Sequence, residues 1–329
     1  MSDLISIIVA SYNHAEYLNL RMSTLINQTY KNLEIIVIDD CSTDSSPDIL
    51  KKYENVPKVK LIFLKKNMGY PRVCNYGVSL SLGEYIMMAE CDDFNDHRHI
   101  EILHKNISRS DQVGVVYSRS NIVNGMGNII GDDFYGKAKP FTGFCSENVL
   151  IPRRKMQRFL LKSCVIPNMS AALFRRKYFN AVSGFSESFK VCADWDFWCR
   201  MAKVCDFYYV AGPLNNFRRH PTTVRAVFGL ERQFFEIFRL LHDALPGISL
   251  NEIEKLQFKA NLGYIFAHEL IFSHGKDFNG MVRVLRKALE FGRLFSLFFL
   301  LGFPRAFADL CCYKARGIRN KIVKTRTYA

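Results

Sequence analysis

Acidic residues follow two of the short apolar runs in the first hundred positions: Asp39-Asp40 after Ile35–Ile38, and Glu90-Cys91-Asp92-Asp93 after Tyr85–Met88. Carboxylates held close together repel, and at neutral pH a divalent cation with oxygen ligands, Mn²⁺ or Mg²⁺, relieves that repulsion. Mg²⁺-type sites use one or two carboxylates and leave the rest of the shell to water and substrate phosphates, so a diphosphate ligand would complete the arrangement. Read singly, each of these aspartates is a turn initiator or helix cap. All four at successive run ends point to a site. A further acid, Asp194, lies in Ala193-Asp-Trp-Asp-Phe-Trp198 at an expected helix start, where neighbouring aromatics would desolvate it and raise its pKa toward that of a general base. The alternative for Asp194 is a helix cap. Asp196 is two positions on, off that face, and reads as structural, while Trp195 and Trp198 read as packing, with Trp195 a possible wall for an acceptor. Later, Arg218-Arg219-His220 sets three cationic groups together. Arg218 or Arg219 suits a phosphate clamp and His220 a metal or phosphate contact, with a loop hydrogen-bonder as the alternative for His220.

The elements that must position these groups follow from the apolar patterning. Ile5–Val9, Ile35–Ile38, Lys60–Leu64, Tyr85–Met88 and Val113–Tyr117 alternate with helix-compatible stretches, which predicts βαβ units and an α/β fold with a mostly parallel sheet flanked by helices. Ligands of such sheets bind beyond the carboxyl ends of the strands, where Ala10-Ser11-Tyr12-Asn13, Asp39-Asp40, Asn67-Met68-Gly69 and Glu90–Asp93 stand. Between Ser118 and Arg154, Gly125, Gly127, Gly131, Gly136 and Gly143 predict a hairpin and a long loop, a candidate lid over a bound donor. A strand is expected at Ala171–Phe174, a helix over Arg176–Val182 and another from Asp194. The domain boundary is placed near residue 225, with residues 226–329 forming a helical region: Phe228–Leu241, Leu250–Phe272 and Phe278–Phe291 have helical apolar spacing.

The chain has 329 residues, 49% apolar and 23% charged, which excludes disordered, collagen-like and coiled-coil classes. Its formal net charge of +14 is concentrated at the end, where Lys276–Ala329 holds twelve Lys/Arg against three Asp/Glu. The apolar stretch Leu294–Phe303 followed by basic residues from Lys314 to Arg326 reads either as an interfacial anchor for an anionic membrane surface or as a face packed on the catalytic domain. No nucleic-acid module is visible. Ten cysteines without metal-ligand spacing, and a start without a basic region or signal-length apolar core, predict reduced thiols and a cytoplasmic protein, peripheral on the membrane if the tail anchors it.

The segments Ser6–Asn13, Gln28–Glu34, Val37–Asp44, Asn67–Gly69, Asn75–Gly77, Gly83–Ile86 and Asp92-Asp93, in this order and spacing over roughly residues 4 to 225, closely resemble the family 2 inverting glycosyltransferases of the GT-A fold. The resemblance implies that Ala10 and Tyr12 hold the nucleotide base and that Asp40 reads it. The neighbouring Ser11, Asn13, Asn67, Gly69 and Arg72 are placed in the same donor site. It implies that Asp92 and Asp93 bind the metal that grips the diphosphate, Asp93 more directly, that Asp194 is the general base, and that Phe217–His220 closes over the diphosphate. Besides Glu90, three positions depart from the usual pattern: Ala193 for Glu, Cys74 for Arg and Cys41 for Gly, with Arg72 a candidate to replace the lost charge. Glu90 stands for the usual first Asp of the acidic motif.

The expected activity is metal-dependent transfer of a sugar, with inversion, from a nucleoside-diphosphate sugar (a UDP-sugar in most of the family) to a hydroxyl of a saccharide or lipid-linked acceptor. A catalytically degenerate sugar-nucleotide-binding assembly subunit is the alternative, motivated by Ala193 and Cys74. A nucleotidyltransferase would need a Gly-rich phosphate loop after the first strand, which Ala10–Asn13 does not provide.

Overall fold

The computed structural model describes residues 3–133, 147–220 and 224–244, with scattered positions between 248 and 286. The chain divides into two compact units, Met1–Thr223 and Val224–Ala329. The first unit opens as β1 (Ile5–Ser11), α1 (Ala15–Ile26), β2 (Leu33–Asp39), α2 (Ser46–Lys51), β3 (Val59–Phe63), α3 (Tyr70–Ser79) and β4 (Tyr85–Met88). It continues as β5 (Phe94–Asn95), α4 (His99–Ile107), β6 (Val113–Val123), β7 (Ile129–Asp132), β8 (Val149–Ile151) and α5 (Arg153–Leu160). A short 3₁₀ turn, Met169–Ala171, leads into β9 (Ala172–Arg175), α6 (Arg176–Ala181), α7 (Ala193–Val204) and β10 (Asp206–Arg218).

The strands form one sheet in the order β3-β2-β1-β4-β9-β6-β10-β5, with β7 on β6 and β8 on β10. The first four are parallel, as the alternating pattern predicts, and β1 and β2 are buried on both faces, as strands covered by helices must be. Strand β9 enters antiparallel between β4 and β6, so the sheet is mixed beyond β4. The hairpin expected between Ser118 and Arg154 is present. Strand β6 runs on to Val123 and turns at Asn124–Asn128 into β7; the remainder of the Gly-rich segment, with Gly136 and Gly143, lies outside the described residues. Strand β10 is unexpected because Gly212-Pro213 sits inside it, and a proline normally argues against a central strand. Register shifts on both sides of Pro213 accommodate the ring and let β10 run parallel to β6 through Arg218.

Helix α1 buries Leu18, Arg21, Met22 and Leu25, the spacing of one helical face, and Asp44 from the β2–α2 loop accepts the backbone N–H of Ala15 at its start. Gln28, fully buried, ties the end of α1 to the turn before α4, donating to the Asp96 carbonyl and accepting from Ile100 N. Glu34 accepts from Leu82 N and Gly83 N, and a side chain at Gly83 would meet the β1 backbone and Ser6 Oγ at 2.5–2.8 Å. Under α7, Phe174, Phe179, Phe185, Phe197, Trp198 and Phe207 form a contiguous aromatic cluster whose pairs each contribute on the order of 1 kcal/mol beyond burial. That cluster fixes the helix carrying Asp194.

In the second unit α8 (Val224–Ala244) buries Phe238, Leu240, Leu241 and Ala244, and Asn251 and Glu254 cap the helical stretch 252–256 reciprocally. Most of the helices expected over Leu250–Phe272 and Phe278–Phe291, and all of the apolar stretch Leu294–Phe303 and the basic tail, lie outside the described residues. Among the described residues, no helix is long and apolar enough to cross a membrane, and the cysteines are free thiols.

Two stability experiments follow. A methyl group at Gly77 of α3 would lie 2.3 Å from Ile8 Cγ2 of β1, so Gly77→Ala should cost about 1–3 kcal/mol and lower the thermal midpoint. His99 is fully buried, donates from Nδ1 to the Leu214 carbonyl, and is pushed down to about 3 by burial and then by the Arg21 charge. Below its ordinary value of 6.5 the unfolded chain takes up a proton that the fold refuses, so this histidine removes about 3 kcal/mol of stability between pH 6.5 and 4. Glu90 and Asp93, raised by burial, act in the opposite sense in both proteins. His99→Asn should therefore flatten the acid limb of a pH-stability curve relative to wild type; parallel curves would show that His99 is protonated in the fold.

Candidate active site

The loops at the carboxyl ends of β1, β2 and β3 interlock through side-chain to backbone bonds. Asn13, in the left-handed region at φ 54°, accepts Thr43 N at 2.8 Å and donates its own N–H to Ser42 Oγ. Asp39 is spent on the turn itself, accepting Ser42 N and Oγ at 2.9 and 2.6 Å. Cys41 has φ 64°, a conformation that glycine adopts without strain, which accounts physically for the glycine usual there. Tyr12 is 44% exposed, its ring available for stacking, whereas Ser11 is buried and the Ala10 carbonyl accepts the Cys91 thiol.

Asp40 is buried, and its two carboxylate oxygens accept Met68 N and Gly69 N at 2.6 and 2.8 Å. Burial raises its carboxyl, and those two N–H groups partly offset the effect. Asn67 donates to the Asp40 carbonyl, and Gly69, at φ 84°, makes the reversal into α3. Asp40 and Asn67–Gly69 are thus one unit. Arg72, one turn into α3, is outside it: its guanidinium pairs with Glu187 at 2.6 Å on the surface.

The acidic segment after β4 divides its labour. Asp93 is buried and turned inward, accepting from Asn168 Nδ2 and from Arg218 N at 3.0 Å. Burial and then the neighbouring Asp92 charge push it up to about 7. Glu90 is held well above the carboxylate range by burial, then by Asp93, Asp92 and Asp194. Asp92 behaves differently. Burial works to raise it, but the His220 hydrogen bond and the His14 and His220 charges outweigh that and hold it low. The acidic segment and Asp194, near the start of α7, therefore share one electrostatic environment. Asp194 is half-buried and accepts Trp195 N at 2.7 Å, while Asp196 forms an ion pair with Arg200 at 2.6 Å. Trp195 is buried and donates its indole N–H to the Leu160 carbonyl, a packing role. Cys74, where the usual arginine is lost, is buried in α3 and its thiol is pushed up by burial.

Arg218 departs from the outward phosphate clamp suggested by its neighbours in sequence. It is buried, its Nε donates to the Asp92 carbonyl at 2.6 Å and its Nη1 to the Asn124 and Gly125 carbonyls, and the guanidinium lies over the rings of Tyr17 and Phe94. Such a residue positions the acidic segment. Arg219 is exposed. His220 donates from Nε2 to Asp92 Oδ2 at 2.8 Å.

Two residues that sequence reasoning missed complete the site. His14 joins Asp92 and His220, one ligand atom from each lying within 4.8 Å of the others. Two imidazoles and a carboxylate held low suit a divalent cation. The signal for His14 was its position one residue past the β1 loop motif, on the edge shared with Asp92. Arg21, on the buried face of α1, donates to Asn95 Oδ1 and to Ser170 Oγ at 3.2 Å beneath the acids. Its only sequence signal was a charge at an apolar helix position.

Comparison with known proteins agrees with this architecture. The model for glycosyl transferase family 2 matches residues 6–183. Glycosyltransferase GlyA of Streptococcus pneumoniae is 32% identical over 185 residues, which is 55% of this chain and 26% of that protein, so the chain spans about a quarter of this relative's length. The structure of Staphylococcus aureus TarS 1–349 in complex with UDP-GlcNAc superposes with a TM-score of 0.62 at 18% identity, covering 84% of this chain and 75% of that one. The mannosyltransferase PcManGT of Pyrobaculum calidifontis, in complex with GDP-Man and Mn²⁺, gives a TM-score of 0.57 at 15% identity, covering 94% and 87%. With the fold, the strand-end site and a family match over more than half its length, this chain belongs to glycosyl transferase family 2.

Proposed function

We propose that the chain transfers a sugar, with inversion, from a UDP-sugar to a hydroxyl of a saccharide or lipid-linked saccharide. The observation that carries this reading is the convergence of Glu90, Asp92 and Asp93 with Asp194, acids from separate elements, on one environment at the strand-end edge that also carries Tyr12 and Asp40. Nucleotide sugars in two structural neighbours, UDP-GlcNAc in TarS and GDP-Man with Mn²⁺ in PcManGT, support a nucleotide-sugar donor and a divalent metal.

In this reading Tyr12 stacks on the base and Asp40, fixed by Met68 N and Gly69 N, offers its remaining lone pairs to the base edge. Asp92 and His220 would hold the cation, which supplies positive charge for the departing diphosphate. Asp93, wired to Asn168 and Arg218 N, keeps the segment in place from below. Arg219 is the exposed cation left to meet phosphate. Asp194 takes the proton of the acceptor hydroxyl as that oxygen attacks the anomeric carbon, and the nucleoside diphosphate leaves from the opposite face. An α-linked donor then gives a β-linked product. The basic C-terminal tail is proposed to hold the enzyme at an anionic membrane surface on its cytoplasmic side.

Donor binding is tested by thermal shift with nucleoside diphosphates and sugar nucleotides, with and without Mn²⁺. Ligand at about a hundred times its Kd adds about 2.7 kcal/mol and should raise the midpoint by several degrees, most with UDP compounds and metal together. The absence of a shift with any nucleotide, in folded protein, refutes the donor site. Asp194→Asn should keep the shift and lower turnover at least a hundredfold, the low end for loss of a general base. Equal product formation by the two proteins would remove Asp194 from the chemistry.

A further inference from the structure

We propose that His14 is a third protein ligand of the metal, so that His14, Asp92 and His220 form a two-histidine, one-carboxylate site that takes Mn²⁺-like transition ions in preference to Mg²⁺. The inference rests on the donor-site reading above.

Three observations carry it. The ligand atoms of the three residues lie within 4.8 Å of one another. Bonds of about 2.1 Å put the ligand atoms of one ion about 3–4 Å apart, so a closure of about 1–2 Å completes a shared site. Next, the His14 ring is already set up as a ligand. Its Nδ1 lies 2.6 Å from the Tyr12 carbonyl, which only accepts, so Nδ1–H donates there and Nε2 is the ring atom left to face a metal. A ligating histidine almost always donates its other ring N–H in this way, which fixes tautomer and orientation. The ring is steadied further by the His14 N–H to Ser46 Oγ bond and by edge contact with the His220 ring at 5.7 Å. Last, His220 Nε2 and Asp92 Oδ2 face each other at 2.8 Å. An imidazole nitrogen and a carboxylate oxygen are therefore already directed at one place.

The donor set decides the ion. Mg²⁺ keeps oxygen ligands and several waters, whereas imidazole suits the transition ions, which bind such sites more tightly along the divalent series. With two imidazoles from the chain, this site has given up part of what Mg²⁺ requires. It still leaves positions open for diphosphate oxygens.

Mn²⁺ binding to the full-length chain is followed by electron paramagnetic resonance, with and without UDP, and pulsed measurements report directly bound imidazole nitrogens. Wild type should show two bound imidazoles and should need Mg²⁺ in at least hundredfold excess to displace Mn²⁺. His14→Asn should show one bound imidazole and bind Mn²⁺ ten- to a hundredfold more weakly. His14→Asp, an oxygen donor in place of nitrogen, should narrow the preference for Mn²⁺ over Mg²⁺. One bound imidazole in wild type, a reading that needs no variant to fold, overturns the proposal. So does Mn²⁺ affinity in His14→Asn within twofold of wild type while Asp92→Asn loses binding, and in that case the donor site stands with Asp92 and His220 alone. No Mn²⁺ uptake by wild type, with or without UDP, overturns this proposal and the metal-dependent reading together.

Discussion

Arg21 carries a full positive charge into the interior directly beneath Glu90, Asp92 and Asp93, and its burial is complete. Removing a guanidinium from water costs several kcal/mol even after relaxation, and the interior returns that cost only where opposite charge and hydrogen bonds surround the ion. Burial lowers its affinity for the proton, and the charges of Asp93, Cys91, Asp92 and Glu90 act to restore it. The acids face the same difficulty with the sign reversed. Even with this cation below them Glu90 and Asp93 are held above the ordinary carboxylate range, and the Arg21 charge works to lower both. The arrangement of the site depends on this pairing of α1 with the end of β4.

Hydrogen bonds transmit the constraint. From Arg21 a buried chain runs through Asn95 to Asn215, from Asn215 to Asn168, and from Asn168 to Asp93, with Ser120 and Ser170 closing its sides. Ser170 Oγ also accepts the Glu90 N–H at 2.9 Å. Each amide in this chain donates and accepts, so rotating one leaves buried partners unsatisfied and rotation is resisted. Arg218 grips the segment from the other side through the Asp92 carbonyl, with its guanidinium over Tyr17 and Phe94. Asp93 is consequently locked inward, and its neighbour Asp92 is presented to His220 and His14.

The parts of this arrangement legible in the sequence are those set by local pattern. Strands β1, β2 and β4 were visible because buried parallel strands read as unbroken apolar runs, and the candidate site residues were visible because they follow such runs. Much of the recognisable motif turns out to be scaffold: Gln28 anchors the end of α1, Glu34 and Gly83 join β2 to the start of β4, and Gly77 lets α3 approach β1. What escaped was non-local. Strand β10 was hidden by Pro213, whose cost is absorbed by bulges set against β6, a partner about ninety residues away. The outward role expected of Arg218 failed because three carbonyls, from Asp92, Asn124 and Gly125, meet it only in the folded chain. Arg21 and His14 drew no notice because nothing in their own neighbourhoods shows that α1 and the β1 loop lie against the acidic segment.

The same non-local logic explains how a departure from the family pattern is tolerated. Cys74 stands where a positively charged residue is usual, and it is buried in α3 with its thiol held neutral by burial, in contact with Tyr70. The lost charge is not returned by Arg72, which pairs with Glu187 at the surface. The positive charge that the acids do meet comes from Arg21 beneath them, with His14 and His220 standing beside Asp92. A buried positive charge is permanent, because arginine keeps its proton, whereas imidazoles leave room for a cation to share the same corner. The site therefore divides its compensation. Arg21 balances the acids that stay inside, and the outward acid is balanced by groups that a metal can replace or join.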